Sequence, residues 1–146
     1  MEVSEQGVAL IKKFEGFSAE PYFCPAGKQT IGYGHAIRTG DAIAGRSISQ
    51  EEAEALLAED IDVVEKALHE LIKVPLLQHQ LDALVSFVYN VGVEAFSHST
   101  LLRLINEGNT VAAPEQFLRW VYSNGKRLSG LEKRREAEKL LFINQI

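Results

Sequence analysis

The chain has 146 residues, 46% apolar, 24% charged and 8% aromatic, and a soluble unit of this size buries about 68–70% of the surface its unfolded form exposes. One cysteine, Cys24, excludes an internal disulfide, the histidines lack a metal-ligand spacing such as HExxH, and no run approaches the ~18 apolar residues of a membrane span. The net charge of −5 speaks against nucleic acid, but residues 1–96 carry 7 basic and 15 acidic groups and residues 97–146 carry 8 and 5, so the carboxy-terminal third is where an anionic partner would be met.

A first helix is expected to start near Ser4, an N-cap type, with Val8, Leu10, Ile11 and Phe14 apolar, and to stop at Glu15-Gly16. Residues 17–47 are then cut by glycine and proline too often for helices. Pro21–Cys24 and Gln29–His35 read as strands joined by the turn Pro25-Ala26-Gly27-Lys28. Helical periodicity resumes at Ser49, where Ser49 and Glu52 fit a capping box. Ala53, Leu56, Leu57, Ile61, Val64, Leu68, Leu71 and Ile72 recur at helical spacing until Pro75. Such a helix is long enough to join two lobes. Its other face, with Glu51, Glu54, Glu59 and Asp62, reads as solvated.

The segment Gln78–Asn90 is apolar almost all round, which marks a buried helix. Shorter helices are expected at Thr100–Glu107 and at Val111–Val121 around Pro114. An Asn124-Gly125 turn leads to a last helix opened by Ser129 and Glu132 as a second capping box. The architecture is α+β: a small antiparallel sheet lobe (about 15–48), a connecting helix (about 49–73) and a helical lobe (1–14 plus 74–146) in one catalytic domain, with a cleft between the lobes for a ligand.

The residue types that carry chemistry gather near the first helix end. Glu15 lies beside a glycine between Phe14 and Phe17, an apolar setting of the kind that keeps a general acid protonated. Strand alternation puts Thr30, Gly32 and Gly34 on one sheet face and Ile31, Tyr33 and His35 on the other. The glycines strip the first face, so that a ligand or another backbone can approach closely. Cys24 reads three ways: a buried structural thiol, a nucleophile paired with His35, or a group that holds or activates water. Lys133, Arg134 and Arg135 most simply form a solvated basic face, although an arginine there could orient a carboxylate across the cleft.

Taken together, Lys13-Phe14-Glu15-Gly16, Pro21-Tyr22, Pro25-Ala26-Gly27 and Thr30-Ile31-Gly32-Tyr33-Gly34-His35 resemble the phage lysozymes, or endolysins, of glycoside hydrolase family 24, the T-even phage lysozyme type. The resemblance continues through Phe87-Val88-Tyr89-Asn90-Val91-Gly92, Phe96, Trp120 and Gly130-Leu131 to Arg134-Arg135-Glu136-Ala137-Glu138, so it covers essentially the whole chain. It implies the two-lobed lysozyme fold and cleavage of the β-1,4 bond between N-acetylmuramic acid and N-acetylglucosamine in peptidoglycan. The family's catalytic glutamate falls on Glu15 and its water-holding threonine on Thr30. Cys24 stands where the family usually has an aspartate. On the substrate side the resemblance and the stripped strand point to Gly32, His35, Asn90 and Arg134, with His35 chiefly structural in the family.

No cofactor or metal is implied, and the partner is the peptidoglycan glycan strand, met by a monomer. The resemblance also implies accumulation in the host cytoplasm and access to the wall in the periplasm once a holin permeabilises the membrane, without a direct holin contact. A chain from which an amino-terminal signal-anchor had been removed would read the same way. Two other functions stay open: a Cys24/His35 peptidase acting on stem peptides, and an inactive muropeptide-binding module.

Overall fold

In the computed structural model, which describes residues 1–144, the first helix, α1, runs over Glu5–Glu15. Ser4 occupies its N-cap but does not cap it with its side chain. Instead the Ser4 amide donates to Asp82 Oδ1 at 2.8 Å and its hydroxyl donates to Asp82 Oδ2. The chain start is thus fixed to the core by a fully buried aspartate.

Strands β1 (Ser18–Phe23), β2 (Gln29–Gly32) and β3 (His35–Ala36) form an antiparallel sheet in that order. Tyr22 faces Thr30, and a register shift between Ser18 and Tyr22 bends β1. The single strand expected over Gln29–His35 is in fact two. Gly32 and Gly34 both take positive φ (+67° and +79°), so the chain reverses there and Ile31 pairs with His35. The expected alternation of faces ends at that turn.

Helix α2 spans Gln50–Leu71 with the capping box formed as expected: the Glu52 amide donates to Ser49 Oγ at 3.1 Å and the Ser49 amide to Glu52 Oε1 at 3.2 Å. Ala53, Leu57, Ile61, Val64 and Leu68 are its buried stripe. Ser49→Ala is expected to cost about 1 kcal/mol, read as a lower midpoint in urea unfolding with an unchanged slope.

Helix α3 (Gln78–Val91) runs through the centre of the helical lobe, and every residue from Leu81 to Val88 is buried, Asp82 and Ser86 included. Around it pack α4 (Val93–Ser97), which the sequence pattern did not signal, and α5 (Thr100–Asn106). The expected helix over Val111–Val121 is shorter and tighter: α6 (Ala113–Gln116) followed by a 3-10 turn at Phe117–Arg119. The Asn124-Gly125 turn closes a small hairpin of β4 (Tyr122–Ser123) and β5 (Lys126–Arg127). Helix α7 (Ser129–Phe142) begins at Ser129 itself with Leu128 at the N-cap, so the second capping box does not form. Glu132 is held by Arg127 instead, at 3.2 Å. His79 Nδ1 sits 2.9 Å from the Phe142 carbonyl and satisfies the far end of α7.

Phe87 is the hub of the helical core, edge-on to Phe96, Phe117 and Trp120 with centroids 5.2–6.2 Å apart. Among the described residues no helix is long and apolar enough to cross a membrane.

Candidate active site

Glu15 is the last residue of α1, and Gly16 after it, at φ +69°, turns the chain away and returns its amide to the Lys12 carbonyl at 2.8 Å. The carboxyl is therefore delivered by a rigid helix to the boundary between the lobes. It does not sit in an apolar pocket as the flanking phenylalanines suggested. Its side chain is 17% exposed, and Arg134 Nη1 donates to Oε2 at 2.6 Å. The other side of the carboxyl faces Gly34: a Cβ built there would land on Oε1 and lie 2.7 Å from Cδ. Gly34 is the space that Glu15 occupies.

Gly34→Ala is accordingly expected to cost about 1–2 kcal/mol through its left-handed backbone and to lower turnover about tenfold by displacing the carboxyl. Thermal unfolding and initial rates measured on the same sample separate the two effects.

Cys24 closes β1 and opens the turn to β2. Its amide donates to the Lys28 carbonyl at 2.9 Å, and its carbonyl accepts from Gly27 at 2.8 Å. Partial burial pushes the thiol up, but the backbone around it, at Lys28 and then Ala26, holds it below its ordinary value. Thr30 is buried, and its hydroxyl donates to the Lys28 carbonyl at 2.9 Å. Since a hydroxyl has one proton to give, Thr30 must turn from that carbonyl to donate to a thiolate or a water.

Tyr22 links the two sides. Burial raises its phenol first, then the negative charges of Glu15 and Cys24. Its phenol responds to both charges, and the sheet register sets Tyr22 opposite Thr30. Sequence reasoning missed Tyr22 as a site residue, although a tyrosine two positions before Cys24 on a half-buried strand was the available signal. The hairpin joins the opposite wall to this one: Asn124 Nδ2 donates to the Pro25 carbonyl, beside Cys24, at 2.9 Å. Tyr89 OH donates to the Tyr33 carbonyl at 2.6 Å and ties α3 to the sheet turn.

Other expected site residues fall elsewhere. Gly32 is buried, and the face it strips is filled by α2: a Cβ there would lie 3.3 Å from Ala53 Cβ and from Ile48 Cδ1. The close approach is that of the Ala53 and Ile48 side chains. His35 Nδ1 donates to Asp60 Oδ2 at 2.8 Å, and its Nε2 is buried 3.7 Å from Asp41 Oδ2. That ring fastens the sheet to α2, and its polar partners are Asp60 and Asp41 rather than Cys24. Asn90 is exposed at the carboxy-terminal end of α3.

Arg134 and Arg135 are not a solvated face. Their side chains are 4% and 0% exposed, and their charges meet Glu15 and Glu138. Because Glu138 is buried with them, they take only a small part of the positive balance of the carboxy-terminal third inside the protein. No cluster of His, Cys, Asp and Glu suited to a metal ion occurs among the described residues.

The chain has known relatives. The model of the family described as phage lysozyme matches residues 12–138. The chain is 49% identical over 146 residues to an endolysin of Acyrthosiphon pisum secondary endosymbiont phage 1, covering 97% of this chain and 98% of that one. It is 46% identical over 145 residues to an endolysin of Bacillus phage B103, covering 98% of this chain but 54% of that longer protein. Its fold matches the muramidase domain of SpmX from Asticaccaulis excentricus with a TM-score of 0.85 at 40% identity, over 97% of each chain.

Proposed function

The chain belongs to the phage lysozyme family, and from that premise we propose that it is an endolysin muramidase, a single catalytic domain that hydrolyses the β-1,4 bond between N-acetylmuramic acid and N-acetylglucosamine in peptidoglycan. The observation that carries this reading is the placement of Glu15: a carboxyl at a rigid helix end, held by Arg134 and given room by Gly34.

Glu15 is the general acid. It gives its proton to the glycosidic oxygen as the bond breaks through an oxocarbenium-like state. Cys24 and Thr30 position and activate the water. A thiol held below its ordinary value supplies more thiolate near neutrality than a free cysteine does, which suits it to the place of a carboxylate. Thr30, freed from the Lys28 carbonyl, offers the second contact to that water. Arg134 acts on Glu15 rather than on substrate, His35 and Gly32 hold the sheet lobe in place, and Asn90 is left as the exposed contact for the glycan. The substrate is the glycan strand, reached by a monomer accumulated in the host cytoplasm after a holin opens the membrane, and its cleavage releases phage.

The test is digestion of purified peptidoglycan with products read by mass spectrometry. Muropeptides ending in reducing N-acetylmuramic acid are expected. New amino termini would move the chemistry to a Cys24/His35 peptidase. Binding with no products would leave a muropeptide-binding module.

A further inference from the structure

Two fully buried charged groups, Glu138 and Arg135, lie behind Glu15, on the far side of Arg134. Glu138 is 0% exposed on the inner face of α7, with Arg134 four residues before it and Arg135 three before it. Its Oε2 accepts from Ser86 Oγ at 2.6 Å, from Arg134 Nε at 3.2 Å and from Arg135 Nη2 at 3.3 Å. Arg135 Nε comes 2.7 Å from Oε1, a close charge contact without the alignment of a hydrogen bond. Arg135 also donates through Nη1 to the Trp120 carbonyl at 3.4 Å, and its guanidinium lies 5.0 Å over the Phe87 ring.

Each nitrogen of the Arg134 fork has a separate acceptor. Nε goes to Glu138, Nη2 to the Ser86 carbonyl at 3.1 Å, and Nη1 to Glu15. A planar guanidinium fixed at two corners by buried groups has no freedom left at the third. The direction and the strength of its contact with Glu15 are thus set from the core.

We propose that Glu138 is a positioning residue for the acid: it aims Arg134 at Glu15 and shares the Arg134 charge, so that Glu15 is held in place yet still able to carry the proton it donates. This rests on the reading of Glu15 as general acid. Without the Glu138 charge, two buried arginines face one carboxylate, and the ionised form of Glu15 is favoured over the form the reaction consumes. Asp60 on α2 and Cys24 beside the sheet also act on this neighbourhood, and a substitution at Glu138 leaves both in place. Ser86 and Tyr89 from α3 and Tyr22 from β1 are neutral, both phenols being pushed up chiefly by burial.

Glu138→Gln keeps the shape and removes the charge. In the full chain its alkaline limb of kcat against pH is expected about one pH unit lower than in the wild type, a loss of about tenfold above that limb, with KM within about twofold. A purely structural role would lower the melting temperature and scale kcat equally at all pH values. That result, with the limb unmoved, overturns the proposal.

Should Glu138→Gln not fold, the pair Arg135→Gln with Glu138→Gln strands no extra charge, and the same limb is read there. Arg134 loses its Glu138 partner in the pair as well, whereas the fork of Arg135 goes to Glu138 and the Trp120 carbonyl and not to Glu15, so the shift is smaller but keeps its sign. A wild-type limb in the pair, or a pair that also fails to fold, overturns the proposal. Glu15→Gln is the control. Retained turnover in that variant overturns the muramidase reading itself, whereas an inactive Glu15→Gln beside an unmoved limb overturns the role of Glu138 alone.

Discussion

Glu15→Gln is expected to lower turnover of peptidoglycan about 10³-fold, the middle of the range for a positioned proton donor, while the protein stays folded and still binds glycan. Glutamine matches the carboxyl in shape, so it fits the space beside Gly34 and can accept from Arg134 Nη1 through its carbonyl oxygen. What it lacks is a transferable proton. Arg134 keeps Glu138 and the Ser86 carbonyl as hydrogen-bond partners, so its guanidinium stays satisfied although it then shares Glu138 with Arg135. Near-equal melting temperatures beside a collapse in reducing-end release would isolate the chemical role. Equal loss of both would mean that Glu15 is needed for the fold, and a variant with near-native rates would remove it as the acid.

How far the sequence led depends on whether each signal was local. The α2 boundary was legible because a capping box is four residues of self-contained chemistry, and Ser49 and Glu52 form both of its hydrogen bonds. The same pattern at Ser129 and Glu132 failed because a neighbour outbid it: Arg127, brought back by the hairpin, takes the glutamate. The glycines at Gly32 and Gly34 were noticed as a stripped strand, but two positive φ values in three residues reverse the chain. Their two vacancies have different occupants, α2 at Gly32 and the Glu15 carboxyl at Gly34, and only tertiary structure could assign them.

The greatest distance between pattern and structure is at Arg134 and Arg135. Adjacent arginines read as solvent-facing, yet both are buried. Glu138 at four and three residues' spacing was the available sign, since such pairs face each other on a helix. What the spacing alone does not convey is that Ser86 and Trp120 wait on the other side: the Arg135 guanidinium also reaches the Trp120 carbonyl at 3.4 Å. An ion network of this kind costs desolvation that apolar packing would not. Its retention behind Glu15 fits a site that needs a fixed charge more than it needs stability.

Cys24→Ala is expected to reduce turnover about 10²-fold, and Cys24→Asp to retain most of it. The alanine leaves a turn whose backbone bonds are unaffected, because Cys24 engages Lys28 and Gly27 through its own amide and carbonyl. Its effect is therefore on the water and not on the fold. The pH dependence follows from the direction of the thiol shift. With Cys24 held below its ordinary value, thiolate accumulates from a lower pH than in a free cysteine. Rates limited by that base rise on the acid side through the displaced value, and reaction with iodoacetamide rises through the same pH. In Cys24→Asp the base is already ionised there, so the rise moves to the carboxylate range and alkylation disappears. Peroxide discriminates further: it oxidises a thiolate and leaves an aspartate alone, so the wild type should lose activity while Cys24→Asp keeps it. Equal sensitivity of the two proteins, or an alanine variant with near-native rates, would leave Thr30 and the backbone to hold the water and make Cys24 a packing residue.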